Sequence, residues 1–266
     1  MKLLKRFKNI KILLRQELKK FDFFLNISNE LDKTHLLNLI RNKVLIIKNF
    51  MTEESCQKII HDMDKILETG NTPVWKDEVG ADTRIFGAEK ISNEIEIFSK
   101  NSFINNLGNN YQKEKLDCFM IMANILTHKL KNQGSGGGWH KDSFAKQFKA
   151  ILYLNDVNEN NGPFQYIEDS DSFLFNLKLL FMFDWEKFNN RFSNTEIQAI
   201  LDKTKKKVCE IKEKAGTLIL VDTSIIHRGK PINSGARYAL TNYMYPKRKF
   251  KVYDQKFQPR ILSKKF

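Results

Sequence analysis

The stretch Trp139-His140-Lys141-Asp142 places a histidine and an aspartate two residues apart, and a second histidine, His227, follows 85 residues after the aspartate. Two imidazoles and one carboxylate are the ligand set that holds Fe(II) on one face and leaves the other positions open for a co-substrate and O₂. On an extended segment, side chains two residues apart leave the same face of the chain. His140 and Asp142 can therefore share one metal ion, which His227 must reach from another strand close in space.

The sequence around these three residues predicts the strands that would carry them. Short apolar runs bounded by turn residues are typical of buried strands, and three such runs occur at residues 149–154, 216–222 and 237–243. The glycine-rich run at residues 134–138 predicts a flexible loop that can present ligands. We therefore expect the metal ligands at strand ends around a β core, with Arg237 on a neighbouring strand.

Together with Tyr153-Leu154-Asn155-Asp156-Val157 and Asn161-Gly162-Pro163-Phe164, these motifs resemble the phytanoyl-CoA dioxygenase-like branch of the Fe(II)/2-oxoglutarate-dependent oxygenases. The resemblance covers roughly residues 42–245. It implies a mainly β fold with flanking helices, built on a double-stranded β-helix, or jelly-roll, core. It also implies Fe(II) as cofactor and 2-oxoglutarate and O₂ as co-substrates. The implied reaction decarboxylates 2-oxoglutarate to succinate and CO₂ and hydroxylates a small-molecule, lipid-like or sugar-derived substrate.

The resemblance also assigns roles to individual residues. His140, Asp142 and His227 would hold the metal. Arg237 would bind the distal carboxylate of 2-oxoglutarate, since a guanidinium fork matches a carboxylate bidentately. Its position ten residues after His227 is the offset that the family shows, and the alternative is an ordinary salt bridge at a strand end. No catalytic residue is predicted beyond the ligands of the metal and of the co-substrate.

Two further residues are candidates for the 2-oxoglutarate pocket. Asn124 interrupts the apolar run at residues 120–126, and a polar residue in such a run needs a partner. It either contacts 2-oxoglutarate or bonds the backbone at a strand end. Tyr153 faces the same side of its strand as Lys149 and Ile151, so it either lines the pocket or belongs to the core.

Three positions qualify the resemblance. The family often carries a serine or threonine two residues after the distal histidine, and here that position is Gly229, so this contact must be absent or replaced. Asp142 retains the carboxylate that a small residue replaces in the halogenases of this branch, which favours hydroxylation or a related oxidation. If Arg237 does not bind the co-substrate carboxylate, Arg84 or Lys149 is the alternative.

Two rival functions are less consistent with the sequence. AlkB-like nucleic-acid demethylases place a second arginine six residues after the first, where this chain has Tyr243. Residues 21–246 contain 29 basic and 29 acidic residues, so the body has no positive excess with which to follow phosphates. A metal-binding jelly roll without catalysis is disfavoured because all three ligands and the arginine are present.

The net charge of +14 is concentrated at the two ends of the chain. Residues 1–20 and residues 247–266 each contain eight basic residues and one acidic residue. Between residues 3 and 18, apolar side chains recur with helical spacing and the lysines lie largely elsewhere. The predicted helix either binds an anionic membrane or acidic partner, or packs on its own domain. Peripheral membrane contact through the basic termini is thus one of two open alternatives.

A chain of 266 residues is long enough for one well-cored domain. We therefore expect a single oxygenase domain over residues 1–266. Residues 1–41 are expected to form a helical N-terminal extension, and residues 169–214 an insertion between barrel strands, with a helix opened by a capping box at Ser193 and Glu196. Aromatic side chains in this insertion either line a substrate channel over the mouth of the site or pack the insertion onto the barrel. They are Phe173, Phe175, Phe181, Phe183 and Trp185.

Cysteine usage and hydropathy suggest a cytoplasmic protein. Cys56, Cys118 and Cys209 are too far apart for a zinc motif and too few for a disulfide framework, and a reducing compartment also keeps iron ferrous. No apolar run reaches the roughly 18 residues that span a bilayer. Residues 1–20 lack the continuous apolar region and cleavage site of a signal peptide.

Two elements near the start of the chain can be predicted in detail. Val44-Leu45-Ile46-Ile47 is typical of a strand, the first of the chain. Thr52 is suited to cap a following helix whose first turn contains Glu53 and Glu54, and Gly70 is suited to end it.

Overall fold

Two β-sheets organise the fold of the protein, which the computed structural model describes over residues 30–255, except 71–73 and 186–187, together with Ile10, Lys11 and Leu14. The strands in chain order are β1 (Val44–Ile47), β2 (Val74–Lys76), β3 (Asp82–Phe86), β4 (Asp117–Thr127), β5 (Trp139–His140), β6 (Phe148–Tyr153), β7 (Phe164–Ile167), β8 (Arg191–Phe192), β9 (Val208–Ile211), β10 (Leu218–Asp222), β11 (His227–Gly229) and β12 (Ala236–Tyr245). They form a seven-stranded sheet in the order β1-β10-β6-β12-β4-β3-β2 and a five-stranded sheet in the order β8-β5-β11-β7-β9. Neighbouring strands are antiparallel in both sheets, as the predicted jelly roll requires.

The helices flank this pair of sheets. They are α1 (Glu30–Asn42), α2 (Glu53–Thr69), α3 (Asn93–Ser99), α4 (Ser102–Gln112), α5 (Phe173–Met182) and α6 (Asn194–Thr204). The caps predicted for α2 are confirmed, since the Thr52 hydroxyl accepts a hydrogen bond from Ser55 N and Gly70 adopts the left-handed conformation. The capping box of Ser193 and Glu196 opens α6 as expected. Apolar faces of α1 to α4 pack on the outer face of the seven-stranded sheet and form the main core.

The two faces of the seven-stranded sheet differ in chemistry. On β6, Phe148, Ala150 and Leu152 join the main core. Lys149 and Tyr153 alternate with them and face the space between the two sheets, where a cavity lies. Part of the inner face packs against Phe164 and Ile211 of the opposite sheet in a second, smaller core. Burying a polar or charged group without a partner is costly, so the polar part of this face indicates a binding site.

The chain between residues 169 and 214 adds strands to both edges of the five-stranded sheet. β8 pairs with β5, and β9 pairs with β7. Phe175, Phe183 and Trp185 pack in a cluster with Trp139 and other apolar side chains, so they take the packing role of the two alternatives. Phe181 is exposed, and the cavity between the sheets is lined by none of these aromatic residues.

The two basic ends fall largely outside the described residues. The amphipathic helix predicted at residues 3–18 lies outside them except for three positions, and so do residues 256–266. Residues 250–255 are helical, and Tyr253 stacks on Tyr245 with 3.5 Å between ring centroids. Phe250 packs edge-on against Phe119. Among the described helices, none combines the length and the apolar character that a bilayer crossing demands.

Gly216, which lies just before β10, packs closely against the backbone of another segment, and Gly80 is a matched control for this packing. Both have left-handed backbones, with φ of 75° and 73°. A Cβ at Gly216 would lie 2.0 Å from Met51 O, whereas one at Gly80 would meet nothing within 4 Å. We expect Gly216→Ala to lower the free energy of unfolding by about 3 kcal/mol or more, because backbone strain adds to overpacking. Gly80→Ala should cost only about 1 kcal/mol of strain. Urea denaturation measures both values, and equal losses would contradict the packing at Met51.

Candidate metal centre

A cavity of about 260 Å³ lies between the two sheets. One wall is formed by inward side chains of β4, β6 and β12, and the opposite wall by β5, β7 and β11. Asn190 and Arg191, from the stretch expected to lie over the mouth, also border the cavity. Arg191 Nη1 donates to Gly136 O and, at 3.1 Å, to Gly137 O. This stretch is therefore tied to the glycine-rich loop.

The structure brings together the two histidines and the aspartate of the sequence motif. His140 ends β5 and His227 begins β11, and these two residues are register partners of the antiparallel pair. Asp142 Oδ1 lies 3.7 Å from His140 Nε2, and Asp142 Oδ2 lies 3.8 Å from His227 Nε2. One ligand atom from each residue lies within 4.8 Å of the other two, which is a spacing that could hold a metal ion.

Backbone carbonyls orient both imidazoles. His140 Nδ1 lies 2.9 Å from Gly138 O, and His227 Nδ1 lies 3.0 Å from Ile225 O. A carbonyl oxygen only accepts, so a neutral ring carries its proton on Nδ1 and turns the lone pair of Nε2 toward Asp142. Burial lowers the pKa of His140 to about 3, with a further contribution from His227, and burial likewise lowers the pKa of His227. Both rings are therefore neutral, which is the form that binds a metal.

Lys149 completes the electrostatics of this centre. Burial alone would raise the pKa of the Asp142 carboxyl, but Lys149 Nζ lies 2.6 Å from Oδ2 and holds that pKa below its ordinary value. Burial would lower the pKa of Lys149, yet the Asp142 carboxylate outweighs it and raises that pKa. Lys149 is thus committed to the metal-binding carboxylate, and its ammonium also lies over the Tyr243 ring at 4.2 Å.

Lys141, between the two ligands of the motif, points away from the metal centre. Its fully buried ammonium donates to Ser224 O at 2.8 Å, to Asn176 Oδ1 at 3.0 Å and to Ser170 O. Because Asn176 lies on α5, the motif is anchored to the neighbouring helix. The alternation of side chains along an extended segment could have indicated this direction, although not its partners.

Arg237 lies on β12, so it approaches from the sheet opposite to His227 rather than from a neighbouring strand of the same sheet. Nη1 donates to Gly162 O and Nη2 donates to Asn124 Oδ1 at 3.0 Å, while Nε has no partner. The side chain is 5% exposed, and burial lowers its pKa from the ordinary value. Within the described ranges no carboxylate pairs with it, so the strand-end salt bridge is not formed. A buried guanidinium with an unused N–H fits an incoming carboxylate.

Asn124 lines the cavity, and its side chain bonds to Arg237 as well as to the backbone of Thr83. Its Nδ2 donates to Asp82 Oδ1 at 2.5 Å and to Thr83 O at 3.3 Å, which leaves Oδ1 to accept from Arg237. Asp82 also accepts two bonds from Arg84 Nε, at 3.0 and 3.1 Å. Arg84, an alternative for binding the co-substrate, is therefore already paired with a carboxylate. The sequence reasoning missed this role of Asp82.

Tyr153 lines the cavity with its ring and uses its hydroxyl elsewhere. The hydroxyl accepts from Phe164 N at 2.8 Å and donates to Ile211 O at 3.2 Å. Burial raises the pKa of this phenol to about 12. Tyr153 therefore borders the cavity, belongs to an apolar cluster and ties β6 to the opposite sheet, while its place in the 2-oxoglutarate pocket stays a prediction.

Comparison with known proteins connects this geometry to a family. Residues 41–239 match the model of the family described as Phytanoyl-CoA dioxygenase (PhyH), as the sequence motifs had indicated. None of the curated proteins with which the chain was compared matches it.

Solved structures share the fold at low sequence identity. The epimerase SnoN from nogalamycin biosynthesis, described as non-heme and α-ketoglutarate dependent, superposes with a TM-score of 0.60 at 13% identity, over 82% of this chain and 84% of that one. HygX from Streptomyces hygroscopicus, solved with nickel and 2-oxoglutarate bound, gives a TM-score of 0.57 at 12% identity, over 81% and 87%. The carbocyclase SnoK from nogalamycin biosynthesis gives 0.56 at 14% identity, over 83% and 85%. These likenesses support the jelly-roll fold.

Proposed function

The chain belongs to the phytanoyl-CoA dioxygenase family, and from this premise we propose that it is an Fe(II)- and 2-oxoglutarate-dependent dioxygenase. The observation that carries the proposal is the meeting of His140, Asp142 and His227, whose ligand atoms lie within 4.8 Å of one another in a cavity between the sheets. The same cavity contains Arg237 with an unused Nε–H. One site thus offers a metal-binding group and a carboxylate-binding group.

The donor set fits ferrous iron. Two neutral imidazoles and one ionised carboxylate are a ligand set that non-heme iron oxygenases use. Bound iron would supply the redox chemistry that activates O₂ with 2-oxoglutarate. The protein's own residues position the metal ligands and balance their charge. The carbonyls of Gly138 and Ile225 orient the imidazoles, and Lys149 keeps Asp142 ionised. Arg237 would hold the distal carboxylate of 2-oxoglutarate, with Asn124 fixing its guanidinium.

We propose hydroxylation of a small-molecule, lipid-like or sugar-derived substrate as the reaction. Asp142 supports this choice, because it keeps a carboxylate where a halide would otherwise need an open position. SnoN is an epimerase and SnoK is a carbocyclase, so proteins of this fold also catalyse other reactions. A reducing cytoplasm is the compartment that we propose, because Cys56, Cys118 and Cys209 are all free thiols and ferrous iron persists there.

Turnover of 2-oxoglutarate without added substrate tests the proposal. Protein loaded with Fe(II) under nitrogen and then exposed to O₂ is expected to form succinate slowly, in step with 2-oxoglutarate consumption. The same protein loaded with Zn(II), which has no redox chemistry, is the control and should form none. Protein that neither binds nor consumes 2-oxoglutarate would instead be a metal-binding scaffold. Substrates are then screened by mass spectrometry for a product heavier by one oxygen atom.

A further inference from the structure

Gly229, the last residue of β11, is a glycine for reasons of space. Its φ is not positive, so its backbone conformation does not require a glycine. A Cβ at this position would lie 2.8 Å from Ser135 Cβ and 3.2 Å from Arg237 Nη1. Both distances are too short for an ordinary carbon contact. Ser135 and the Arg237 guanidinium therefore flank the point where a side chain of residue 229 would begin.

The glycines on either side of Ser135 hold it in this place. A Cβ at Gly134 would lie 2.0 Å from Gly229 O, and a Cβ at Gly136 would lie 2.5 Å from His140 Cε1. Gly229 N also donates to Ser135 O at 2.9 Å. The loop is thus pressed between β11 and the ring of a metal-binding histidine. Glycine at these two positions allows this close packing, and both have positive φ, of 74° and 90°.

The Ser135 side chain borders the same cavity as Arg237. Its hydroxyl forms no hydrogen bond with any residue in the described part of the chain. Arg237 Nη1 lies beside the same point, and the Nε–H of this guanidinium is buried and without a partner. An unused hydroxyl beside a guanidinium that has no carboxylate partner in the described ranges is complementary to a carboxylate.

We propose that the Ser135 hydroxyl donates to the distal carboxylate of 2-oxoglutarate alongside Arg237. It thereby supplies the contact that Gly229 lacks, from a loop instead of from β11. This inference rests on the proposed function and assigns one more residue to the co-substrate site. It also gives the glycine-rich loop a role, since the loop delivers Ser135 to one side and packs on the ring of His140 on the other.

Two ligands that differ in the distal carboxylate test the inference. Oxygen-free protein loaded with Ni(II) is titrated calorimetrically with 2-oxoglutarate and with pyruvate, a 2-oxo acid that lacks this carboxylate. Ser135→Ala is expected to weaken 2-oxoglutarate binding about tenfold or more, as for a lost hydrogen bond to a charged group, and to leave pyruvate binding unchanged. Ser234→Ala, at an exposed serine outside the cavity, is the matched control and should change neither.

A swap of the two residues gives a second, independent readout. Gly229→Ser alone should crowd Ser135 and lose affinity, because its Cβ would lie 2.8 Å from that of Ser135. Combined with Ser135→Gly, it should bind 2-oxoglutarate more tightly than Ser135→Ala does, since the hydroxyl returns from the other side.

The inference is overturned if Ser135→Ala weakens both ligands equally or if it weakens neither. Wild-type protein that binds neither 2-oxo acid would overturn the proposed function and this inference together. Wild-type binding with an indifferent Ser135 would overturn the inference alone.

Discussion

Asp142→Ala is expected to abolish iron-dependent consumption of 2-oxoglutarate, because it removes the carboxylate of the candidate metal centre. Two neutral imidazoles remain, and the ammonium of Lys149, which lies 2.6 Å from the missing oxygen, then faces the metal without its counter-charge. Loss of residues that merely support metal ligands costs about 10–100-fold in metal affinity or activity. Loss of a ligand should exceed that, so iron binding, measured by metal content after dialysis, should fall more than about 100-fold.

His140→Ala and His227→Ala should have the same effect, and Asp142→Glu is a finer test. The extra methylene of glutamate moves the carboxylate relative to the two Nε2 atoms, which lie 3.7 and 3.8 Å from the aspartate oxygens. Turnover should therefore fall although the charge is kept. Full activity in any one of these variants would remove that residue from the centre.

A stability control separates loss of the metal from loss of the fold. Removing one partner of a buried ion pair costs about 3–5 kcal/mol, so Asp142→Ala should also destabilise the metal-free protein. Asp142→Ala combined with Lys149→Met removes the pair as a unit and should recover most of the free energy of unfolding. It should not recover iron binding. Recovery of both would mean that the single variant had failed through misfolding.

The elements that follow from local patterns could be predicted from the sequence. The strand at Val44–Ile47 is an unbroken apolar run, and the bounds of α2 follow from Thr52 and Gly70, whose capping chemistry is local. The spacing of His140 and Asp142 is also local, since it depends only on the alternation of an extended chain. These features need no knowledge of what lies across the fold.

The hydrogen bonds that hold the cavity-lining side chains in place could not be predicted in the same way, because the bonded residues are distant in sequence. Asn124 meets Asp82 across 42 residues and Arg237 across 113. A sequence shows that a buried amide needs partners, but only the register of β3, β4 and β12 decides which ones. The glycine-rich loop is a similar case, since Gly134 and Gly136 are set by the backbone and the ring that approach them.

Arg237→Ala is expected to raise the concentration of 2-oxoglutarate needed for half-maximal turnover by about 30-fold or more. Removing one partner of a buried, hydrogen-bonded charge pair costs about 2–5 kcal/mol, and about 1.4 kcal/mol corresponds to a factor of ten. Iron content should change little, because Arg237 bonds to Gly162 and Asn124 and to none of the three metal-binding residues. Arg237→Lys keeps the charge without the planar fork, so it should recover only part of the affinity.

The other buried cations that line the cavity provide a test of whether this effect is specific to Arg237. Arg84 is paired with Asp82 and Lys149 with Asp142, whereas Arg237 has no carboxylate partner in the described ranges. Arg237 can therefore bind the carboxylate of 2-oxoglutarate without breaking an existing ion pair. Arg84→Met combined with Asp82→Asn removes the neighbouring pair as a unit, retains an oxygen for Asn124, and should leave the 2-oxoglutarate requirement within a few-fold of wild type. Unchanged dependence in Arg237→Ala, with a large loss in that double variant, would transfer the carboxylate-binding role to Arg84.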